Sequence, residues 1–397
     1  MGTGISQQVK AIAMTNKFSN DCLEVLDRLK ASKNVLISGA PGTGKSRLIG
    51  EVANAFELGV PVAGLATAPV HDPKAKVPIP PVAQPADPAL VKVMPCAAKT
   101  ARKVFRTVFH QNSKHRDFVT GMIPNIKRKA GDPDFVIIEG ALFKASEHAK
   151  DKNGASLLVI DEINRGPAVQ VFGGSIVAIE ADKRLGANGT PTTETQFFDL
   201  LSHSGILESY ALPDDLYILA AMNQADASVE PLDVAFLRRW EPFVLDPSSD
   251  VLRLYFGISG ANVIVDLPET PTDGKQVFEA SVRAWEKVNR RISLGRGPEF
   301  QIGHGVLMSG VSGVAMTLDA VLQISAKNWA KVRAHVQEVF FGDLRGIAAT
   351  LNAIDGPAFH PLQLVETTFA DDIRYELAGP SRIGPEKIYA ALRAIGL

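Results

Sequence analysis

Hydrophobic positions in this chain fall into two textures. Cys22, Val25, Leu26 and Leu29 recur at i, i+3, i+4 and i+7, which predicts a helix over roughly Asn20 to Lys30. Short unbroken apolar runs then appear at wide spacing. They are Asn34-Val35-Leu36-Ile37-Ser38, Leu157-Leu158-Val159-Ile160 and Leu216-Tyr217-Ile218-Leu219-Ala220-Ala221. Each reads as a buried strand. The first leads into a helix over Ser46 to Glu57, and a short helix is expected over Pro231 to Leu237. Beyond residue 248 helical patterns dominate. Glu279 to Arg291 reads as a helix and Gly313 to Leu344 as one or two more, with loops at Glu269–Gly274 and Gly295–Pro298. Val60 to Pro95 breaks the pattern. Its nine prolines predict neither a regular helix nor a central strand, but a surface loop or polyproline-like excursion. That excursion is either an ornamental insertion or a partner-docking loop.

The residues at the carboxyl end of each apolar run carry the chemistry. After the first run comes Gly39-Ala40-Pro41-Gly42-Thr43-Gly44-Lys45-Ser46, a G-x-x-x-x-G-K-S phosphate loop between a strand and a helix. Its glycines let successive backbone N–H groups face phosphate oxygens, and the helix adds its positive end. Lys45 is expected to reach the β- and γ-phosphates, Ser46 to hold Mg²⁺, and Arg47 to line the same site. The second run ends in Asp161-Glu162. Asp161 is expected to help hold Mg²⁺, and Glu162 to orient and activate the attacking water. Two solvated carboxylates on a strand end would be the plain alternative. The third run ends at Asn223, either a sensor of the γ-phosphate or a turn former. Phe236-Leu237-Arg238-Arg239-Trp240 offers an arginine finger, with a solvated or internally paired basic couple as the alternative. Spacing does not choose between Arg238 and Arg239.

Composition narrows the setting. The chain has 397 residues, 46% apolar and 21% charged, enough for two or three domains of a soluble globular protein. A formal net charge of −1 gives no global basic field. Two cysteines, Cys22 and Cys96, supply neither a disulfide framework nor a zinc cluster and suit a reducing cytoplasm. No apolar run is long enough to span a bilayer, and Met1 to Lys17 lacks a signal-peptide core. Lys99 to Lys129 holds nine Lys and Arg residues against the single acid Asp117. It reads as a solvated face or as a basic surface for nucleic acid or an acidic partner.

The order of these parts resembles an AAA+ ATPase: Walker A, Walker B, sensor-1 asparagine and arginine finger, ahead of a helical lid. Asp161-Glu162-Ile163-Asn164-Arg165 is similar to the D-E-I-N-R of the MoxR and McrB branches. Val171-Phe172-Gly173 running to Glu180-Ala181-Asp182-Lys183-Arg184, and Met222-Asn223-Gln224-Ala225-Asp226, resemble McrB signatures. So do Leu232 to Trp240, Phe109-His110-Gln111 with Asp117 to Gly121, and Ile302-Gly303-His304. MoxR proteins usually show T-Q-N-P where this chain has Met222-Asn223-Gln224-Ala225, so the McrB-like branch is preferred and MoxR is the runner-up.

The resemblance implies an α/β P-loop core with a mainly parallel five-stranded sheet, followed by an α-helical lid. The expected division is a tail and helix over 1–33, a nucleotide-binding core over 34–247 with the 60–95 insertion, and a lid over 248–397. It further implies a ring, most simply a hexamer, in which Arg238 or Arg239 completes the neighbour's site. Hydrolysis of ATP or GTP with Mg²⁺ would accompany it, ATP being favoured. His304 falls where the family's lid approaches the nucleotide, as a sensor-2 residue or as a capping or core histidine. The expected role is the motor or switch of a multi-component restriction or phage-defence-like system with a separate nuclease or effector. A protein-remodelling chaperone and a nucleotide-gated scaffold that barely hydrolyses are the alternatives. The 33 residues ahead of the core are too few for the DNA-recognition domain of McrB restriction proteins, so methylated-DNA binding is not expected.

Overall fold

The computed structural model describes residues 18–59, 88–127, 129, 133–225, 231–311 and 316–397. Its contacts divide the chain into two compact units. One comprises the described residues of Met1–Ser38, Lys45–Met222 and Ala227–Phe243; the other comprises those of Gly39–Gly44, Asn223–Asp226 and Val244–Leu397.

The first unit is built on a five-stranded sheet. In chain order its strands are β1 (Asn34–Ser38), β2 (Ala101–Val108), β5 (Gly154–Asp161), β8 (Leu216–Ala221) and β9 (Glu241–Val244). Their spatial order is β2-β5-β8-β1-β9. The β2–β5, β5–β8 and β8–β1 pairs are all parallel. Parallel strands covered on both faces need no polar side, which is why β1 and β8 are buried at every position. β2, at the edge, alternates instead, and its exposed Lys103 and Arg106 discourage pairing with another chain. Two hairpins project from this unit, β3 (Thr120–Pro124) with β4 (Phe135–Glu139) and β6 (Phe198–Leu201) with β7 (Leu207–Tyr210).

The predicted first helix, α1, spans Asn20–Ser32 and buries all four stripe residues. The Ser19 hydroxyl caps it, accepting from the Cys22 N–H, and donates in turn to Glu51 at 2.9 Å. Glu51 lies on α2 (Lys45–Leu58), the helix after the phosphate loop. The proline-rich expectation needs correcting at its far end. Pro88–Val93 forms a short helix, α3, with Pro88 at its first position. There the missing N–H costs nothing and the fixed φ suits a helix. Residues 60–87 of that segment lie outside the described residues. α4 (Ala141–Lys150) covers the sheet, and α5 (Val234–Leu237) is the short helix before the arginine pair, shorter than predicted.

Several motif aromatics pack together. Phe109, Phe118, Phe172, Phe236 and Trp240 are all buried in one core. Phe118 and Phe172 rings lie 4.7 Å apart, Phe109 and Phe118 5.3 Å, and Phe172 and Phe236 5.4 Å. The segments that resemble McrB signatures therefore meet here for packing.

The second unit is mainly helical: α6 (Gly274–Gly295), α7 (Leu318–Val339), α8 (Leu344–Thr350) and α9 (Pro385–Gly396) share one apolar core. Asp273 caps α6 and Thr317 caps α7. One buried carboxylate, Glu279, is held by Arg253 and Arg283 at 3.1 and 2.8 Å. An antiparallel hairpin, β10 (Gln363–Phe369) with β11 (Asp372–Ala378), interrupts the helices and was not expected from sequence.

Candidate functional site

The register of the sheet brings three predicted segments to one edge. Ile37 lies beside Ala221, and Ile160 beside Ala220, on parallel neighbours. β1, β8 and β5 therefore end together, and the chain leaves their carboxyl edge at Ser38, Met222 and Asp161. This is the edge at which open α/β sheets place ligands.

The phosphate loop begins after Ser38. Gly39, Gly42 and Gly44 have φ of 150°, 81° and 95°, values closed to side chains with a Cβ. Thr43 is buried, its hydroxyl donating to the Ala40 carbonyl at 2.9 Å. Ser46 is the exposed hydroxyl of the motif, one residue into α2, and Lys45, the first residue of that helix, is half-buried. Arg47 is exposed and pairs with Glu51 one turn on, at 3.5 Å.

The sequence signal missed the groups that hold this loop. The Gly303 N–H donates to the Pro41 carbonyl and the Gly305 N–H to the Gly42 carbonyl, both at 2.9 Å. A Cβ on Gly303 would collide with the Gly42 backbone. From α6, the buried Asn289 side chain accepts from the Ile302 N–H at 2.7 Å and donates to the Ile302 carbonyl at 2.9 Å. The Trp285 indole N–H donates to that carbonyl as well, at 3.0 Å. Both polar ends of one residue are thereby pinned, which fixes the two glycines just beyond it. Only the Ile302-Gly303-His304 resemblance hinted at this. His304 between them is half-buried, and its Nδ1 accepts from the Ser248 N–H at 3.3 Å.

Asp161 ends β5, half-buried, with Oδ1 accepting from the Glu162 N–H at 3.1 Å. Glu162 sits at φ 54°, ψ 44°. That left-handed conformation is uncommon outside glycine and costs roughly 1 kcal/mol or more. Its carboxylate pairs with Arg165 at 3.1 Å. Asn223 is half-buried two residues past the end of β8.

The two arginines are not equivalent. Arg239 has a side chain only 7% exposed, beside Glu180 at 2.9 Å, and it also donates to the Ala235 carbonyl. Arg238 is exposed and forms no ion pair among the described residues. Arg184, from the stretch ending in Lys183-Arg184, is fully buried and forms no ion pair among the described residues. It donates to the carbonyls of Ile179 and Leu216 and to Asn34 Oδ1, the last at 2.7 Å. Burial pulls its pKa down to about 10. Asn34 in turn donates to the Arg239 carbonyl at 3.2 Å, so this network reaches the arginine pair.

Two residues of the basic stretch are engaged by neighbouring groups, while Lys103, Arg106, Lys114, Arg116, Lys127 and Lys129 are exposed. Arg102 is spent on the carbonyls of Phe56, Pro95 and Cys96, and Lys99 on Asp215 at 2.8 Å. Arg128 lies outside the described residues, and Asp226 of the asparagine motif does as well. No described helix is long and apolar enough to cross a membrane.

A parallel sheet with these segments at its carboxyl edge is the arrangement of a P-loop nucleotide-binding core. Residues 91–240 match the AAA domain (dynein-related subfamily) family. The chain is 24% identical over 296 residues to the type IV methyl-directed restriction enzyme EcoKMcrB subunit of Escherichia coli (strain K12), covering 72% of this chain and 50% of the relative. It is 39% identical over 85 residues to the type II restriction enzyme BsuMI component YdiS of Bacillus subtilis (strain 168), covering 21% of this chain and 25% of the relative. Among solved structures, C. elegans PCH-2 is similar at 13% identity and a TM-score of 0.33, over 79% of this chain and 67% of that one. The matches support a likeness to AAA+ proteins of the McrB-like kind. The chain spans half the length of the first of these relatives and a quarter of the second.

Proposed function

We propose that this chain hydrolyses a nucleoside triphosphate, ATP in preference to GTP, as the motor or switch of a multi-component restriction or defence-like system. The observation that carries the reading is the shared carboxyl edge of β1, β8 and β5. At that edge β1 runs on into the phosphate loop, β5 ends at the acidic pair and β8 leads to the amide of Asn223.

Lys45 binds the terminal phosphates in this reading, and the N–H groups of the glycine loop cradle them. The residues present fit Mg²⁺. With Thr43 turned inward, Ser46 offers the free hydroxyl, and Asp161 offers carboxylate capacity beyond its single N–H contact. Bound there, the cation neutralises phosphate oxygens as charge develops. Glu162 takes the proton of the attacking water, and Arg165 holds its carboxylate in the strained conformation until then. Asn223 orients the water or reports the γ-phosphate. Arg238 is the better finger for a neighbouring site, because Arg239 is committed to Glu180 and Ala235. His304 senses the nucleotide through the glycines on either side of it, which bond the phosphate loop.

The relatives' names describe a subunit and a component of restriction enzymes, which supports a separate nuclease or effector partner here and a cytoplasmic setting. Ring assembly, with a hexamer as the simplest form, makes specific activity rise with protein concentration. The test is side-by-side hydrolysis of ATP and GTP with Mg²⁺ across a concentration series, with and without DNA. Turnover that rises with concentration supports the reading. Concentration-independent turnover by a monomer overturns the ring, and absent turnover overturns the hydrolase. Stimulation by a protein client rather than DNA would favour a remodelling chaperone.

A further inference from the structure

Arg184 is a buried cation that the nucleotide reading leaves unused. Its guanidinium donates to neutral acceptors: the Ile179 carbonyl at 3.0 and 2.8 Å, the Leu216 carbonyl, and Asn34 Oδ1 at 2.7 Å. Burying a charge in this way is costly, and what it secures is the placement of the groups it binds. Asn34 and Leu216 are the first residues of β1 and β8, the strands that lead to the phosphate loop and to Asn223. Ile179 directly precedes Glu180.

Main chain and side chain of Arg239 are both fastened to this hub. The Asn34 amide donates to the Ile179 carbonyl at 2.7 Å and to the Arg239 carbonyl at 3.2 Å. The Arg239 guanidinium pairs with Glu180 at 2.9 Å and donates to the Ala235 carbonyl of α5. With the arginine side chain only 7% exposed, solvent ions screen this pair little. Arg238 is held on both flanks as well. Its N–H donates to the Val234 carbonyl at 3.0 Å, and the Trp240 N–H donates to the Leu237 carbonyl at 3.0 Å, with the Trp240 ring buried. An exposed side chain thus stands on a fixed backbone. That combination suits a charge that must reach a neighbouring molecule in one geometry, because the placement is made before the encounter.

We propose that Glu180, Asn34 and Arg184 are positioning residues for Arg238. They lock Arg239, so that Arg239 is the anchor of the pair and Arg238 is presented to the nucleotide of the next subunit. This role rests on Arg238 acting in trans.

The test is hydrolysis by Glu180→Ala at saturating nucleotide, at a protein concentration where wild-type turnover no longer rises, beside titration with fluorescent nucleotide. kcat should fall about tenfold, since the finger is displaced rather than deleted, while nucleotide affinity stays near wild type. Glu180→Gln keeps the shape and an acceptor but loses the charge, so it should lose about threefold, and it decides alone if Glu180→Ala does not fold. Mixing separates a loosened finger from a damaged site. Excess Glu162→Gln supplies an intact Arg238 without turning over its own site, so it should restore most of the turnover lost by the Glu180 variant. Arg238→Ala mixed in the same way is the control for the finger itself. If Arg238→Ala regains activity and the Glu180 variant does not, the positioning role is overturned and the finger stands. If neither regains it, the finger in trans is overturned, and the positioning role with it. Wild-type kcat in the Glu180 variant would also overturn the positioning role.

Discussion

Replacing Gly303 by alanine tests whether the segment behind the phosphate loop sets nucleotide affinity. The added methyl cannot be accommodated in place, because it would overlap the Gly42 backbone, which has no flexible end to move aside. The segment must back away, losing the Gly303-to-Pro41 and Gly305-to-Gly42 hydrogen bonds. At about 1 kcal/mol each, that is about 2 kcal/mol withdrawn from the loop's binding conformation, or roughly 30-fold in affinity. The global unfolding midpoint should move much less, since neither bond belongs to the apolar core. Gly50→Ala is the control. It lies within α2 with nothing near its would-be Cβ, so it should leave affinity intact and stabilise by about 0.5–1 kcal/mol. Fluorescent-nucleotide titration reads the first effect and urea unfolding the second. Wild-type affinity in Gly303→Ala would refute the clasp.

Buried groups give further expected outcomes. Arg184→Met should cost about 3 kcal/mol in urea unfolding, because it strands Asn34 Oδ1 and buried carbonyls without donors. Burial raises the thiol pKa of both Cys22 and Cys96 to about 12, so iodoacetamide at pH 8 should label neither until the chain unfolds. Since the unfolded value is about 8.5, their contribution to stability is complete below that pH and is lost as pH rises toward about 12. His360 behaves oppositely. Burial lowers its pKa, and its Nδ1 accepts from the Leu362 N–H at 2.9 Å, so it is neutral when folded. Its contribution is present above the unfolded value of about 6.5 and is lost as pH falls further, and His360→Gln should flatten that acid limb of the stability profile.

The parts legible in sequence were those with a local signature. Unbroken apolar runs marked β1, β5 and β8, because strands buried on both faces carry no polar position. The phosphate loop was legible because its glycines are forced by backbone angles. The clasp was not, since Gly303 and Gly305 act through main-chain atoms, and the residues that pin Ile302 come from a distant helix. β2 was hidden because its lysines and arginines read as a charged stretch, whereas they decorate a sheet edge or staple carbonyls. The α3 helix was hidden because proline content was weighed without its position, and Pro88 occupies the one helical site where it is welcome. The inequality of Arg238 and Arg239 depends on Glu180, fifty-nine positions away from Arg239 in the chain, which no spacing rule reveals.

The most direct test of the central claim is Glu162→Gln, read by two assays on the same sample. The account predicts that ATP or GTP still binds with near wild-type affinity, because Lys45 and the glycine loop are intact, while multiple-turnover hydrolysis falls by a factor of about 100 or more. Undiminished hydrolysis in Glu162→Gln would contradict it.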